Sequence, residues 1–377
     1  MPRLTRDYET RSAVDLKLSG VHAYAEDEST DVWCMSYCVD DGPVKIWKKG
    51  EPCPPEYVAA ATEDGWTTSA FNAAFERAIE AEIMVTRYGW PAIPVTRDRC
   101  TMAMAYAMAL PASLENCAAA LGLDIRKDMA GRALMLKMAS PRKWLLPGDE
   151  GYADAKALAA TDSSMATLLS DGVVLTWWGL PEYREKLYAY CLQDTEVERG
   201  LSKRLMPLSP AEQELWALDQ AINNRGIQVD LPAIRNSIAV VEVEKARLDG
   251  LMSRATGGAV RACSQVAKLL EWAARQGVDL TASAKADVLD ALARADLPAA
   301  VREALELRQE AARSSTAKLK AMLNGASRDG RVRGTMQYHG ANTGRWSGRR
   351  IQPHNFPRPS LLDPVAIVEM LDFLHDS

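Results

Sequence analysis

Asp7 and Glu9 stand two residues apart in Leu4-Thr5-Arg6-Asp7-Tyr8-Glu9, a stretch that reads as a strand. Alternation along a strand sends both carboxylates out of one face. Two anions so placed repel each other unless a cation sits between them, and oxygen-only ligands suit a hard divalent ion, Mg²⁺ or Mn²⁺. Tyr190 and Asp194 lie four apart in a helical stretch and so share a face, and Asn72 and Glu76 are again one helical turn apart. Taken singly, each pair also describes an ordinary surface: an exposed strand edge, a half-buried tyrosine beside a solvated acid, or a helix cap with a surface acid. A second concentration of chemistry lies near the other end. Arg328, Arg331, Arg333, Arg345, Arg349, Arg350 and Arg358 have only Asp329 as a local acid, in a segment rich in Gly, Asn and Pro. Such a segment is expected to be a phosphate-contacting loop or hairpin rather than a solvated helix face.

The elements that must carry these residues follow from periodicity. Residues 32–39 and 44–47 read as two strands joined by Asp40-Asp41-Gly42-Pro43, a meander after the first strand. Residues 67–69 close another strand and 73–84 form a helix. Residues 102–136 are helical in pieces broken at Pro111 and Gly122, and 183–205 form one more helix. Strands first and helices after imply an α/β or α+β domain over 1–205. Residues 206–210 make a linker in which Ser209 caps a helix that has Pro210 at its first position. Helices are expected over 231–254, 266–276, 283–293, 299–323 and 363–374, and a strand or hairpin over 331–339.

Composition bounds these expectations. The chain has 377 residues, 47% hydrophobic and 25% charged, which excludes global disorder. No apolar run reaches the ~18 residues needed to cross a bilayer, so no membrane role is expected. Seven cysteines without a Cys-x-x-Cys pattern fit reduced, buried thiols in a cytoplasmic protein. The net charge of −5 is unevenly spread: residues 1–205 hold 23 basic and 30 acidic residues, and residues 206–377 hold 22 and 20. An acidic first part thus precedes a slightly basic second part.

The three pairs, in this order, resemble the motifs of the proofreading 3′–5′ exonuclease domain of the ribonuclease H-like, four-carboxylate type, tyrosine subclass. The motifs stand as Asp7-Tyr8-Glu9-Thr10-Arg11-Ser12, Phe71-Asn72-Ala73-Ala74-Phe75-Glu76 and Tyr190-Cys191-Leu192-Gln193-Asp194. The resemblance implies two divalent cations that clamp an in-line phosphodiester hydrolysis of DNA ends. It gives Asp7 the bridging position, places Glu9 and Asp194 at the first ion, and leaves Glu76 to the second. It makes Tyr190 the group that orients the attacking water and lets Asn72 reach the substrate strand. Glu76 stands where the family usually has Asp, and Phe71 where a His is common in phage-like relatives.

Residues 206–377 resemble the opening of the polymerase region of family A DNA polymerases. The resemblance rests on Asn223-Asn224-Arg225-Gly226-Ile227-Gln228-Val229-Asp230, on Thr343-Gly344-Arg345 and on Ile351-Gln352-Pro353-His354-Asn355. It implies a mainly helical, thumb-like domain that binds primer-template duplex through Lys318, Arg345, Gln352 and Asn355. The palm motifs of that family are not found in these residues. The expectation is therefore an α/β ribonuclease H-like exonuclease domain, 1–205, followed by a partial polymerase region, 206–377, not competent for nucleotidyl transfer alone. A palm-bearing chain is a possible partner. The competing expectation is a catalytically weak or inactive DNA-binding subunit that completes a split polymerase in trans.

Overall fold

Period-two alternation makes Arg3–Arg11 a strand, β1, and in the computed structural model it is the central strand of five. The structure describes residues 1–123, 129–280, 285–311, 316–341, 343–356 and 363–376. β2 (Asp31–Val39) and β3 (Lys45–Lys48) continue from β1 as the expected antiparallel meander. Asp40 turns between them with a φ of +48°. β4 (Thr67–Ala70) and β5 (Asp98–Cys100) add in parallel on the opposite side, giving the order β3-β2-β1-β4-β5.

Ten helices of the described residues accompany this sheet. The first six are α1 (Leu16–Ser19), α2 (Val21–Glu26), α3 (Pro55–Thr62), α4 (Ala73–Ile79), α5 (Thr101–Ala107) and α6 (Leu114–Ala120). The others are α7 (Met129–Met138), α8 (Tyr152–Thr161), α9 (Pro181–Arg204) and α10 (Pro210–Arg225). A π-turn over Glu80–Val85 follows α4, where a single continuous helix is expected from the sequence. A small sheet of β6 (Lys143–Leu145), β7 (Ala166–Leu168) and β8 (Val174–Thr176), in the order β6-β8-β7, is an addition that the sequence did not signal.

Because β1 is central, both its faces are covered. Leu4 and Tyr8 enter an apolar core with Met35, Trp47, Tyr57, Ile79 and Ile83. Arg6 lies on the same face with no exposed surface. Its Nε and Nη2 donate to the two Glu80 oxygens at 2.5 and 3.0 Å, and Nη2 also reaches Asp98 Oδ1 at 3.0 Å. Asp98 also accepts from Arg77 at 2.7 Å and from Thr68 Oγ1 at 2.5 Å. The opposite face of β1 meets α9, whose Cys191 carbonyl accepts from Ser36 Oγ of β2 at 2.7 Å.

Contacts group residues 1–228 with 325–354, and residues 229–324 with 355–377. This grouping differs from a division after 205. The reason lies in α10, which follows its Ser209 cap as expected and buries Trp216 among Ala70, Ala73, Cys100, Ala103 and Tyr338. Residues 331–339 are not one hairpin. β9 (Ile227–Gln228) pairs with β10 (Arg331–Val332), and β11 (Met336–Gln337) pairs with β12 (Ser347–Gly348). Gly226, at φ +65°, permits the first pairing, since a Cβ there would come within 2.8 Å of the Val332 carbonyl.

The second unit is helical. It comprises α11 (Leu231–Ala255), α12 (Val266–Arg275), α13 (Lys285–Leu292), α14 (Ala299–Ala311), α15 (Ala317–Asn324) and α16 (Pro364–Asp376). Leu248, Met252, Leu269, Trp272, Val301 and Leu305 form its core. The helix expected over 299–323 is described as α14 and α15, and its residues 312–315 lie outside the described residues.

Removing one partner from a buried ion network strands the other charges, at a cost of about 3–5 kcal/mol. Arg6→Met is therefore expected to lower the unfolding free energy measured in urea by that amount, through a lower midpoint with little change in slope; a loss under about 1 kcal/mol would show the network to be dispensable.

Candidate active site

The face of β1 that meets α9 carries Asp7 and Glu9, as alternation requires. The ladder with β2 slips between Glu9 and Thr10, a local bulge of the kind that re-aims a strand's side chains. From α9 come Tyr190, Cys191 and Asp194. Cys191 Sγ lies 3.6 Å from Asp7 Oδ2, and ligand atoms of Asp7, Glu9 and Cys191 all fall within 4.8 Å of one another. The Tyr190 hydroxyl hydrogen-bonds the Asp194 carboxylate, which in turn acts electrostatically on both Asp7 and Glu9. Glu76 of α4 is buried and is itself acted on by the Asp7 charge. Asn72 stands half-buried at the start of α4, where its carbonyl accepts from the Phe75 amide at 2.7 Å. The structure thus puts Asp7 and Glu9 in one close group with Cys191 and brings Asp194, Glu76 and Tyr190 within electrostatic reach of it, although the sequence separates these residues by up to 187 positions.

Electrostatics set the chemistry of this cluster. Burial first, and then the Asp194 charge, hold the Asp7 proton far above the ordinary carboxylate range. Burial and Asp7 do the same to Glu9 and to Glu76. Burial and the adjoining Asp194 also push the Tyr190 phenol well up, so it stays protonated and keeps a proton to donate. Glu76 Oε2 is buried without a hydrogen-bond partner. Arg6, which lowers the Glu76 pKa, is already engaged by Glu80 and Asp98. Clustered oxygen donors, surplus negative charge and an orphaned carboxylate oxygen fit a hard divalent cation. The Cys191 thiol is pushed up by burial and by Cys34, so it enters the cluster as a neutral donor.

Sequence reasoning missed two members. Glu198 lies one turn beyond Asp194 on α9, is buried, and accepts from Ser69 Oγ at 2.7 Å and Thr101 Oγ1 at 2.6 Å. Its charge adds to the rise at Asp7. The four-residue spacing from Asp194 was the available signal. Cys191 stood inside the third motif, but nothing in its spacing placed it against Asp7.

The arginine-rich segment behaves differently from the expected phosphate loop, since most of its charge is answered inside the chain. The Arg328 amide donates to Glu26 Oε2 at 2.7 Å, and its guanidinium reaches the Glu26 carbonyl. Arg333 pairs with Asp329 at 2.6 Å and with Glu26 at 3.6 Å. Arg331 donates to the Arg225 carbonyl at 3.3 Å, Arg349 to Gln337, and Arg350 to the Leu18 carbonyl at 3.4 Å. Gly20 makes that last contact possible, since a Cβ there would overlap the Arg350 guanidinium. Burial, Arg333 and Arg350 push His22 down to about 4. Arg358 lies outside the described residues.

Arg345 is the exception. It is exposed and makes no ion pair among the described residues. A turn presents it: Gly344, at φ +76°, donates to the Ala341 carbonyl at 2.9 Å, and the Ala341 amide donates to the Arg345 carbonyl at 3.1 Å. Trp346 anchors the turn by donating from Nε1 to Asp219 Oδ1 at 2.8 Å. Asp219 also accepts from Asn223 at 3.1 Å and Gln220 at 3.0 Å, while Asn223 bonds the Met336 amide and carbonyl at 3.0 Å each. Burial holds Asp219 up at about 6. Gln352, at φ +49°, belongs to this same unit, whereas Lys318 and Asn355 belong to the other. The Lys318 ammonium lies 5.2 Å from the Phe356 ring, and Lys320 pairs with Glu242 at 2.9 Å.

No family model matches the chain. A DNA polymerase of Bacillus phage SP02 is 34% identical to it over 371 residues, covering 96% of this chain and 52% of that protein. The POL domain of Pol1 from M. smegmatis, solved in complex with DNA primer-template and dNTP, matches at a TM-score of 0.52 and 13% identity. That match covers 96% of this chain and 53% of the other. The chain spans about half the length of each, is homologous to a DNA polymerase along nearly all of its own length, and shares the fold of a polymerase domain.

Two outcomes follow from the site. Carboxyls with raised pKa values favour the folded state while protonated, and that contribution is lost as pH rises from ~4 through the raised values. Metal-free protein is expected to lose stability over that window. Added Mg²⁺ should raise Tm more at pH 8 than at pH 5, because ligation needs the deprotonated groups; calorimetry showing equal shifts at both would count against a cation at the carboxylates. Asp219→Ala removes the acceptor of the Trp346 indole and one of the two acceptors of the Asn223 amide, and is expected to cost about 1 kcal/mol in urea unfolding. A neutral result there would show that the turn is held by packing alone.

Proposed function

We propose that the carboxylate cluster is the active site of a metal-dependent 3′–5′ exonuclease that removes nucleotides from DNA ends, in the proofreading role. The observation that carries this reading is the convergence of Asp7, Glu9, Glu76 and Asp194, each within electrostatic reach of another, beside a tyrosine that donates to Asp194. Asp7, Glu9 and Asp194 would hold one divalent ion, Mg²⁺ or Mn²⁺, and Asp7 with Glu76 a second. Bound there, the ions supply a hydroxide near neutral pH and stabilise charge on the phosphate. Tyr190, fixed as a donor, orients the group that attacks, and Asn72 at the helix start positions the strand. The mixed sheet with flanking helices agrees with a ribonuclease H-like domain.

DNA as substrate and partner is supported by the similarity to the phage polymerase and by the fold of a neighbour solved with primer-template. In this reading Arg345 and Gln352 contact the duplex backbone and groove edges, and Lys318 and Asn355, in the other unit, are each assigned a DNA contact of their own. Nucleotidyl transfer is not assigned to these residues and requires a palm from further sequence or another chain. A DNA-binding subunit without hydrolysis is the second reading, and Glu76, one methylene longer than the usual Asp, is the residue that favours it.

Incubation with 3′-labelled single-stranded DNA and Mg²⁺ or Mn²⁺ separates the two. Stepwise loss of nucleotides is expected, falling by about 100-fold or more in Asp7→Ala and Asp194→Ala and by less in Tyr190→Phe. Absence of metal-dependent loss in the unaltered chain would leave only the second reading.

A further inference from the structure

Between the second and third motifs lies a surface that the exonuclease reading does not use. Residues 129–148 contain four cations and no acid, within an otherwise acidic half of the chain. Lys137, Arg142 and Lys143 are exposed, and none of them makes an ion pair among the described residues. Aromatic rings are interleaved with them. The Lys137 ammonium lies 3.9 Å from the Trp178 ring and 4.8 Å from that of Tyr183, and the Arg142 guanidinium lies 5.1 Å from Trp178. Two residues beyond Arg142 on β6, Trp144 is 56% exposed, far more than a ring of that size ordinarily leaves in water.

This surface is fixed relative to the carboxylates. The end of α7 is tied to the end of β1, where the Ser12 amide donates to the Ala139 carbonyl at 3.0 Å, and to β2, where Trp33 Nε1 donates to the Met138 carbonyl at 3.2 Å. Glu9 and Ser12 are three strand positions apart, roughly 10 Å. On α9, Tyr183 precedes Tyr190 by seven residues, which is about two turns and again roughly 10 Å along one helix face. Asp194 lies on that face too. The basic and aromatic surface and the catalytic residues therefore share one side of α9, a few nucleotides apart.

We infer that this surface is a binding platform for single-stranded DNA, which it leads toward the carboxylate cluster. Unpaired cations track the phosphates, and the exposed ring of Trp144 stacks on bases without reading their identity. Duplex hides its base faces and cannot use the ring. The inference takes its direction of travel from the exonuclease reading, but binding by the platform does not depend on hydrolysis.

The test uses the full chain in an Asp7→Ala background, so that labelled oligo(dT) is bound and not cut, with fluorescence anisotropy as the readout. Trp144→Ala is expected to weaken oligo(dT) binding about tenfold and to leave blunt duplex binding unchanged. Lys137→Gln with Arg142→Gln is expected to reduce the slope of log affinity against log salt by ~1.4, the single-strand value for two phosphate contacts. All three side chains are solvent-exposed, so the substitutions test binding and not folding. Unchanged oligo(dT) affinity and salt slope, or an equal loss on single strand and duplex from Trp144→Ala, would overturn the platform whether or not the unaltered chain hydrolyses DNA.

Discussion

Arg6 occupies the middle of the central strand without exposed surface, between Glu80 of the π-turn and Asp98 of the edge strand β5. An apolar side chain in its position would leave Glu80 buried without its cation and Asp98 with Arg77 alone. The network therefore fixes β1 against β5 and against the turn that follows α4. That in turn sets where Glu76, four residues before Glu80, enters the fold. Next along the same strand, Asp7 points to the opposite face. One strand thus holds a network of bonded opposite charges on one side and a cluster of carboxylates on the other.

The contrast between those two sides is the physical content of the site. Around Arg6, charges of opposite sign are close and bonded. Around Asp7, charges of the same sign are close, buried and held in place by the sheet and by α9. Such a cluster destabilises the ionised state of the folded chain unless protons or cations are bound, which is why the proton affinities of Asp7, Glu9 and Glu76 all move upward. Glu198 and Cys191 extend the same surroundings, one as a further bonded carboxylate and the other as a neutral thiol.

The arginine-rich segment inverts the usual inference from charge density. Arginine beside glycine and proline reads as a surface waiting for phosphate, yet Arg328 and Arg333 meet Glu26, and Arg350 meets the Leu18 carbonyl. These contacts bind the segment to the N-terminal part of its own unit, together with the β9–β10 pairing and the Asp219 anchor of Trp346. Arg345 is exposed without an ion pair among the described residues, presented by a turn closed by the Gly344 and Ala341 amides. The cations of residues 129–148, less dense in the sequence, meet aromatic rings instead of acids among the described residues.

The sequence by itself determined the local facts: the alternation that pairs Asp7 with Glu9, the helical turn that pairs Tyr190 with Asp194, the Ser209 cap with Pro210, and the helices of the second unit. Each of these depends on spacings of a few residues, which backbone geometry converts directly into shared faces. The tertiary structure decided the rest. Packing buried Glu76, brought Cys191 and Glu198 to Asp7, and gave the late arginines an acid some 300 residues away in Glu26. It also placed α10 with the first unit, because Trp216 finds its pocket there, and formed the small sheet over residues 143–176. Those outcomes depend on which distant surfaces meet, and no period in the chain records that.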